Sequence, residues 1–171
     1  MVLFYKYLLF LTMTISNIII PISSYVTNAN FVIHSEQKTF SEILDTYRLP
    51  CHLQTARVKS FESSLEKMKK SNIDNVYDLY DLIGFRFVFY TKEDLLKFYH
   101  HVKLEKTLLY AKNYILNPKE NGYAAMHLRY KNEYSECPIK QLECQLYIIS
   151  DYYNALYGNA RRIDKNYTLY F

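Results

Sequence analysis

The stretch LIGFRFVFY, Leu82 to Tyr90, constrains the fold more than any other part of the chain. It is apolar, aromatic and rich in β-formers, and too short for a typical helix, so it reads as a central strand. TKEDLLKFYHHVK follows as a helix with Thr91 as its cap. Upstream, FSEILDTYR (Phe40 to Arg48) has helical spacing and is stopped by Pro50, HLQTARV alternates as a short strand, and SFESSLEKMKK begins a helix at Ser60. Downstream, LLYAKNYIL, AAMHLRYKN and KQLECQLYI read as strands, and SDYYNALYG as a closing helix with Ser150 as its cap and Gly158 as its stop. Alternation of this kind predicts one α/β (α+β) unit of about five strands with helices between them.

Composition adds limits rather than identity. A chain of 171 residues, half of them apolar, holds one domain with a real core. The net charge of +4 suits phosphate-bearing partners without requiring them. Nineteen tyrosines and no tryptophan read as compositional drift. Cys51, Cys137 and Cys144 form neither a CxxC pair nor a zinc-spaced group, which removes the usual thiol-based metal and redox motifs. At the start, YLLFLTMTISNIIIPI followed by SSYVTNA resembles a secretory signal, and the polar residues and Pro21 inside it disfavour a spanning helix. Residues 1–29 are therefore read as a signal-like segment, 35–160 as the domain and 161–171 as a short tail. Export or membrane contact through the first segment is one expectation for localisation; a cytoplasmic protein is the other.

Three groups of residues carry possible chemistry. In Arg57-x-Lys59-xxx-Ser63-xxx-Lys67, the spacing of four places Lys59, Ser63 and Lys67 on one helical face, with Phe61, Leu65 and Met68 opposite. Two ammonium groups and a hydroxyl near a helix start suit a triphosphate, and equally a solvated polar face. Asp81 heads the central strand and Glu143 lies in another, so the two carboxylates can share a magnesium ion if their strands adjoin. Arg86 falls on the face opposite Phe85, Phe87 and Phe89, where it can stack on a base or pair with an acid. Finally, NPKENGY marks a turn, around which Lys119, Asn121, Tyr123 and His127 gather. A tyrosine ring beside that glycine offers a face for a nucleobase, or else packs as in any hairpin.

In their order and spacing, these pieces resemble the synthetase domain of the RelA/SpoT family of guanosine tetraphosphate (alarmone) synthetases. The resemblance rests on ARVKSFESSLEKM, YDLIGFRFVF, KNYILNPKENGYAAMH and LECQL, and runs from about Phe40 to Gly158. It implies a nucleotidyltransferase-like mixed sheet and transfer of the β,γ-pyrophosphate of ATP to the 3′-hydroxyl of GDP or GTP, with Mg. Carried over by position, Lys59, Ser63 and Lys67 would hold the ATP phosphates, and Arg57 and Arg86 would enclose the adenine. Asp81 would bind the metal, and Glu143 would complete the metal site or deprotonate the attacking hydroxyl. Tyr123 would stack on guanine, while Lys112, Lys119, Asn121 and His127 settle the acceptor.

The sequence departs from the family pattern in three places. Tyr110-Ala111-Lys112-Asn113 stands where Arg-x-Lys-Asp or Glu-x-Asp-Asp is usual, Leu146-Tyr147-Ile148 where Ile-Arg-Thr commonly follows Glu-x-Gln, and Asp151-Tyr152 and Ala155-Leu156 where the closing helix commonly has Met-His and Ala-Glu. Two other expectations therefore accompany the synthetase: a catalytically decayed nucleotide-binding remnant, and a toxin-like pyrophosphokinase acting on adenine nucleotides or tRNA. Assembly as a homo-oligomer is a further expectation, although little chain follows Gly158.

Overall fold

The computed structural model describes residues 28–158. The signal-like segment and the tail lie almost wholly outside them, so neither expectation is addressed by the fold. In chain order the elements are α1 (28–46), β1 (Cys51–Val58), α2 (Phe61–Ser71), a 3-10 turn (Val76–Asp78), β2 (Ile83–Phe89), α3 (Lys92–Glu105), β3 (Leu108–Asn113), β4 (Met126–Lys131), β5 (Gln141–Ile148) and α4 (Ile149–Tyr157). Among the described residues, no helix is long and apolar enough to cross a membrane.

The five strands form one sheet in the order β1-β2-β5-β4-β3. β2 pairs in parallel with β5, and the other neighbours are antiparallel, which gives the mixed sheet that the resemblance implies. The last strand in sequence thus occupies the middle of the sheet, beside the strand that opened the sequence reading.

Because side chains alternate across a strand, each central strand serves two faces. One face is apolar: Phe85, Phe87 and Phe89 of β2, Cys144 and Leu146 of β5, and Leu128 and Tyr130 of β4 are all buried. It is covered by α1 and α3. Phe40 of α1 lies edge-on to Phe85 at 5.2 Å and to Phe87 at 5.0 Å, and Phe98 of α3 packs on Phe87 at 4.6 Å. Such pairs add to the burial of the rings themselves.

One ion pair enters this apolar layer. Glu36, in the inward stripe of α1, accepts from Lys106 Nζ at 2.8 Å, with side chains 1% and 9% exposed. Neither charge is tolerable there without the other.

The elements follow the sequence signals closely, with four local corrections. Ser60 caps α2 by accepting from the Ser63 amide, and Thr91 caps α3 by accepting from that of Asp94. Ser150 is not a cap: α4 begins one residue earlier, after Ile148, because the chain passes from β5 into the helix without a loop. α1 starts before the boundary expected at 35, since Ala29 and Val32 are fully buried in the core. Phe61 is exposed rather than core-facing, and the buried residue of α2 is Ser64, whose hydroxyl donates to the Ser60 carbonyl. Lys59 precedes that helix instead of belonging to it, because its amide donates to the Leu82 carbonyl as an extension of the β1–β2 pairing.

Candidate active site

The opposite face of the sheet is polar at its centre. Register aligns two cross-strand rows there: Arg57, Gly84, Glu143, Arg129 and Tyr110, and beside it Thr55, Arg86, Gln145, His127 and Lys112. Residues from every strand therefore meet on one surface, with Arg57, Glu143 and Arg129 in one row and Arg86 and Lys112 in the other as its charged groups.

At the β1 edge, Asp81 stands just ahead of β2 and binds two lysines through one oxygen. Lys59 Nζ is 3.1 Å and Lys67 Nζ 2.8 Å from Asp81 Oδ2. Lys59 reaches it from the connection after β1 and Lys67 from α2, so the two converge despite belonging to different elements. Burial pushes the Asp81 carboxyl up, but hydrogen bonds and charge from Lys67, then Lys59, outweigh it and hold the group below the usual carboxylate range. Lys67 mirrors this. Burial lowers it, but Asp81 and the Tyr80 hydroxyl together raise it, and its ammonium also sits 3.7 Å over the Tyr80 ring. Ser63 lies on the half-buried side of α2, one turn before Lys67.

At the centre, five side chains close a ring of hydrogen bonds. Glu143 Oε1 meets His127 Nδ1 at 3.4 Å, His127 Nε2 meets the Tyr123 hydroxyl at 2.7 Å, and that hydroxyl meets the one of Tyr147 at 2.8 Å. Tyr147 donates to Gln145 Oε1 at 3.4 Å, and Gln145 Nε2 donates to Glu143 Oε2 at 3.1 Å. Arg86 Nη2 joins from β2 by donating to the same Gln145 oxygen at 3.0 Å. Burial raises the Glu143 carboxyl, but the bond and charge of His127, with help from Arg57, bring it below its ordinary range.

The ring revises the expectation for Tyr123. Its side chain does not stand exposed beside the turn; it is 2% exposed, turned inward by its two hydroxyl partners and packed with Tyr147, Tyr152 and Val88. The turn itself forms as read. Gly122 adopts φ +77, which favours glycine, and its amide donates to the Lys119 carbonyl. Asn121 Oδ1 accepts from the Tyr123 amide at 3.2 Å, so Asn121 shapes the backbone here. The Lys119 ammonium lies 4.7 Å over the Tyr114 ring and 5.2 Å over that of Tyr123.

Beyond Glu143, towards β3, a cavity of about 160 Å³ opens, with Glu143 and His127 on one side and Tyr80, Tyr110 and Tyr114 supplying ring surface. Lys112 and Arg129 add cations to its wall. Tyr80, Tyr114 and Arg129 were not among the residues singled out in the sequence, and Tyr110 and Tyr147 entered there only as departures from the family pattern. Strand alternation does contain the signal for two of them: Arg129 is two residues after His127, and Tyr147 two after Gln145, hence on the same face. The departure at Tyr110 also has a spatial partner, because the Arg129 guanidinium lies 4.2 Å over that ring.

Two carboxylates are candidate metal donors. Asp81 Oδ1 is buried with no hydrogen-bond partner, and each Glu143 oxygen accepts one bond, from His127 or Gln145, and keeps a further lone pair. No group of three acidic, His or Cys side chains is gathered for a metal among the described residues. An oxygen donor set of this kind fits magnesium, which Asp81 and Glu143 would hold together with phosphate oxygens and water.

Comparisons with known proteins agree with this architecture. No curated protein matches the sequence. Small alarmone synthetase 2 from Bacillus subtilis is 25% identical, with a TM-score of 0.66 over 74% of this chain and 72% of that one. Small alarmone synthetase 1 from the same organism, bound to its product pppGpp, has the same fold at 20% identity, with a TM-score of 0.66 over 77% and 74% of the two chains. Its complex with AMPCPP gives 16% identity and a TM-score of 0.59 over 77% and 71%. Residues 56–166 match the family described as a region found in RelA / SpoT proteins. That span covers both polar rows except Thr55, together with the Asp81 edge and the turn at Gly122, and the chain belongs to the RelA/SpoT family.

Proposed function

We propose that the protein is a (p)ppGpp synthetase, moving pyrophosphate from ATP to the 3′-hydroxyl of GDP or GTP. One observation carries the reading: Glu143 stands between a lysine-flanked aspartate on one side and a cationic, aromatic cavity on the other. Two anionic nucleotides brought together need charge compensation on both sides of the reacting atoms, and positioning supplies much of the remaining acceleration.

Lys59 and Lys67 take the ATP phosphates, with Ser63 beside them and Arg57 and Arg86 towards the adenine. Asp81 orients the two ammonium groups, and its unpartnered Oδ1 would help to hold a magnesium ion, which would offset charge on the phosphate oxygens. The Glu143 carboxylate, ionised at neutral pH, accepts the proton of the attacking 3′-hydroxyl, while His127 and Gln145 fix its direction. In this arrangement Tyr123 acts through His127, and the acceptor base meets the ring of Tyr114, at the Lys119 end of the cavity. The basic side chains of Lys112 and Lys119 sit at that end.

Full-length protein incubated with ATP, magnesium and GDP or GTP, with the nucleotides then resolved, tests the proposal. A pyrophosphorylated guanine nucleotide that disappears in Asp81→Asn is the expected result. A folded protein that binds ATP and yields no product would sink the reading in favour of a binding module. Label passing to an adenine nucleotide or tRNA instead would replace the acceptor and keep the chemistry.

A further inference from the structure

We propose that Arg129, held between Tyr80 and Tyr110, is the residue that grips the 5′-phosphates of the acceptor nucleotide; this deepens the synthetase reading and rests on it. The guanidinium carbon lies 4.4 Å from the Tyr80 ring centre and 4.2 Å from that of Tyr110. Cation–π contacts from two rings fix the plane of the fork, which lowers the entropy lost when it binds a ligand. With rings engaging the guanidinium, its N–H edges are what remain for a ligand, and an edge matches a phosphate with paired hydrogen bonds. Among the described residues no carboxylate lies within ion-pair distance of Arg129, although Glu143 is its register neighbour on β5.

Placement gives the direction. In the row Arg57, Gly84, Glu143, Arg129, the carboxylate sits between two guanidinium-bearing positions, one towards the Lys59 and Lys67 edge and one towards the cavity. The donor phosphates occupy the first side, so the second cation serves the other nucleotide. Lys112, on the adjoining row and lining the same cavity, adds a second positive charge. The cavity of about 160 Å³ is well below the roughly 300 Å³ at which pockets for whole small molecules begin. It therefore accommodates one part of a nucleotide, and its cationic wall selects the phosphate part.

The test is calorimetric titration of full-length protein with GDP and with guanosine, without ATP, so that it does not depend on turnover. Arg129→Met is expected to weaken GDP binding by about 10- to 100-fold while leaving guanosine and ATP binding and the melting temperature in place. Arg129→Lys, which keeps the charge and loses the fork, is expected to recover only part of the loss, and it serves as the readout if the methionine variant is unstable. Tyr110→Leu removes one ring and weakens GDP binding by several-fold.

Equal losses for GDP and guanosine would mean a contact to the base and would overturn the assignment. So would a loss confined to ATP, an unchanged GDP affinity, or a wild-type protein that does not bind GDP. An unchanged GDP affinity in a protein that still makes product would remove this role alone and leave the synthetase intact.

Discussion

The two faces of the sheet are made by the same strands and share almost no chemistry. In β2, Phe85, Phe87 and Phe89 point into a layer of rings, while Gly84 and Arg86 face the site; in β5, Cys144 and Leu146 alternate with Glu143, Gln145 and Tyr147. The apolar face gains stability by excluding water, and the polar groups it admits include the Glu36–Lys106 pair and the buried Tyr130 hydroxyl. The polar face is satisfied through linked hydrogen bonds, but it keeps one buried oxygen, on Asp81, without a partner. Stability and chemistry are therefore separated by a half-turn of each strand, and a substitution moved by one residue changes which of them it damages.

The separation is sharpest in two substitutions of comparable energy. Phe87→Ala is expected to cost about 3–5 kcal/mol of folding free energy, read from denaturant titration, with turnover per folded molecule preserved. Glu143→Gln is expected to lower turnover by about 10²–10⁴-fold with little change in melting temperature, since the amide keeps the shape and one acceptor. A large stability loss in Glu143→Gln would break the comparison by making the polar ring a part of the core.

Tyr147→Phe sharpens it on a smaller scale. Removing one hydroxyl opens the ring and leaves the Tyr123 hydroxyl short of a partner, at about 1 kcal/mol of stability. Turnover should fall several-fold through loosened His127 rather than through lost contact with a nucleotide, so the loss belongs in kcat and not in the ATP KM.

The smallest effect concerns acid. Asp81 and Glu143 have carboxyls held below their ordinary range in the folded protein, so they contribute stability above the unfolded carboxylate pKa of about 4, and that contribution is lost as pH falls through their folded values. Unfolding free energy should be insensitive to these groups near neutrality and decline below about pH 4. In Glu143→Gln the decline should be shallower; an unchanged acid limb would mean that His127 does not hold this carboxylate in solution.

Much of this was legible before any coordinates. The strands, the caps at Ser60 and Thr91 and the turn at Gly122 follow from local pattern, because each depends on residues a few positions apart; Lys59 and Lys67 meet instead through Asp81, from different elements. Arg129 was less legible because its meaning depends on Tyr80 and Tyr110, which reach it from a loop and from another strand. Tyr123 was misread for the same reason: the partners that turn it inward, His127 and Tyr147, include one contributed by β5. Short motifs show which groups are present, whereas the direction in which a ring faces is set by tertiary neighbours.

The central position of β5 also bears on when the protein becomes competent during its synthesis. β1 with β2, and β3 with β4, can pair as neighbours while the chain is still emerging, but their halves of the site are joined only by residues 141–148. Contacts so distant in sequence form late and slowly. A nascent chain shorter than this therefore has lysines and tyrosines in place but no Glu143 to connect them, and remains chemically silent until nearly the whole domain has been made.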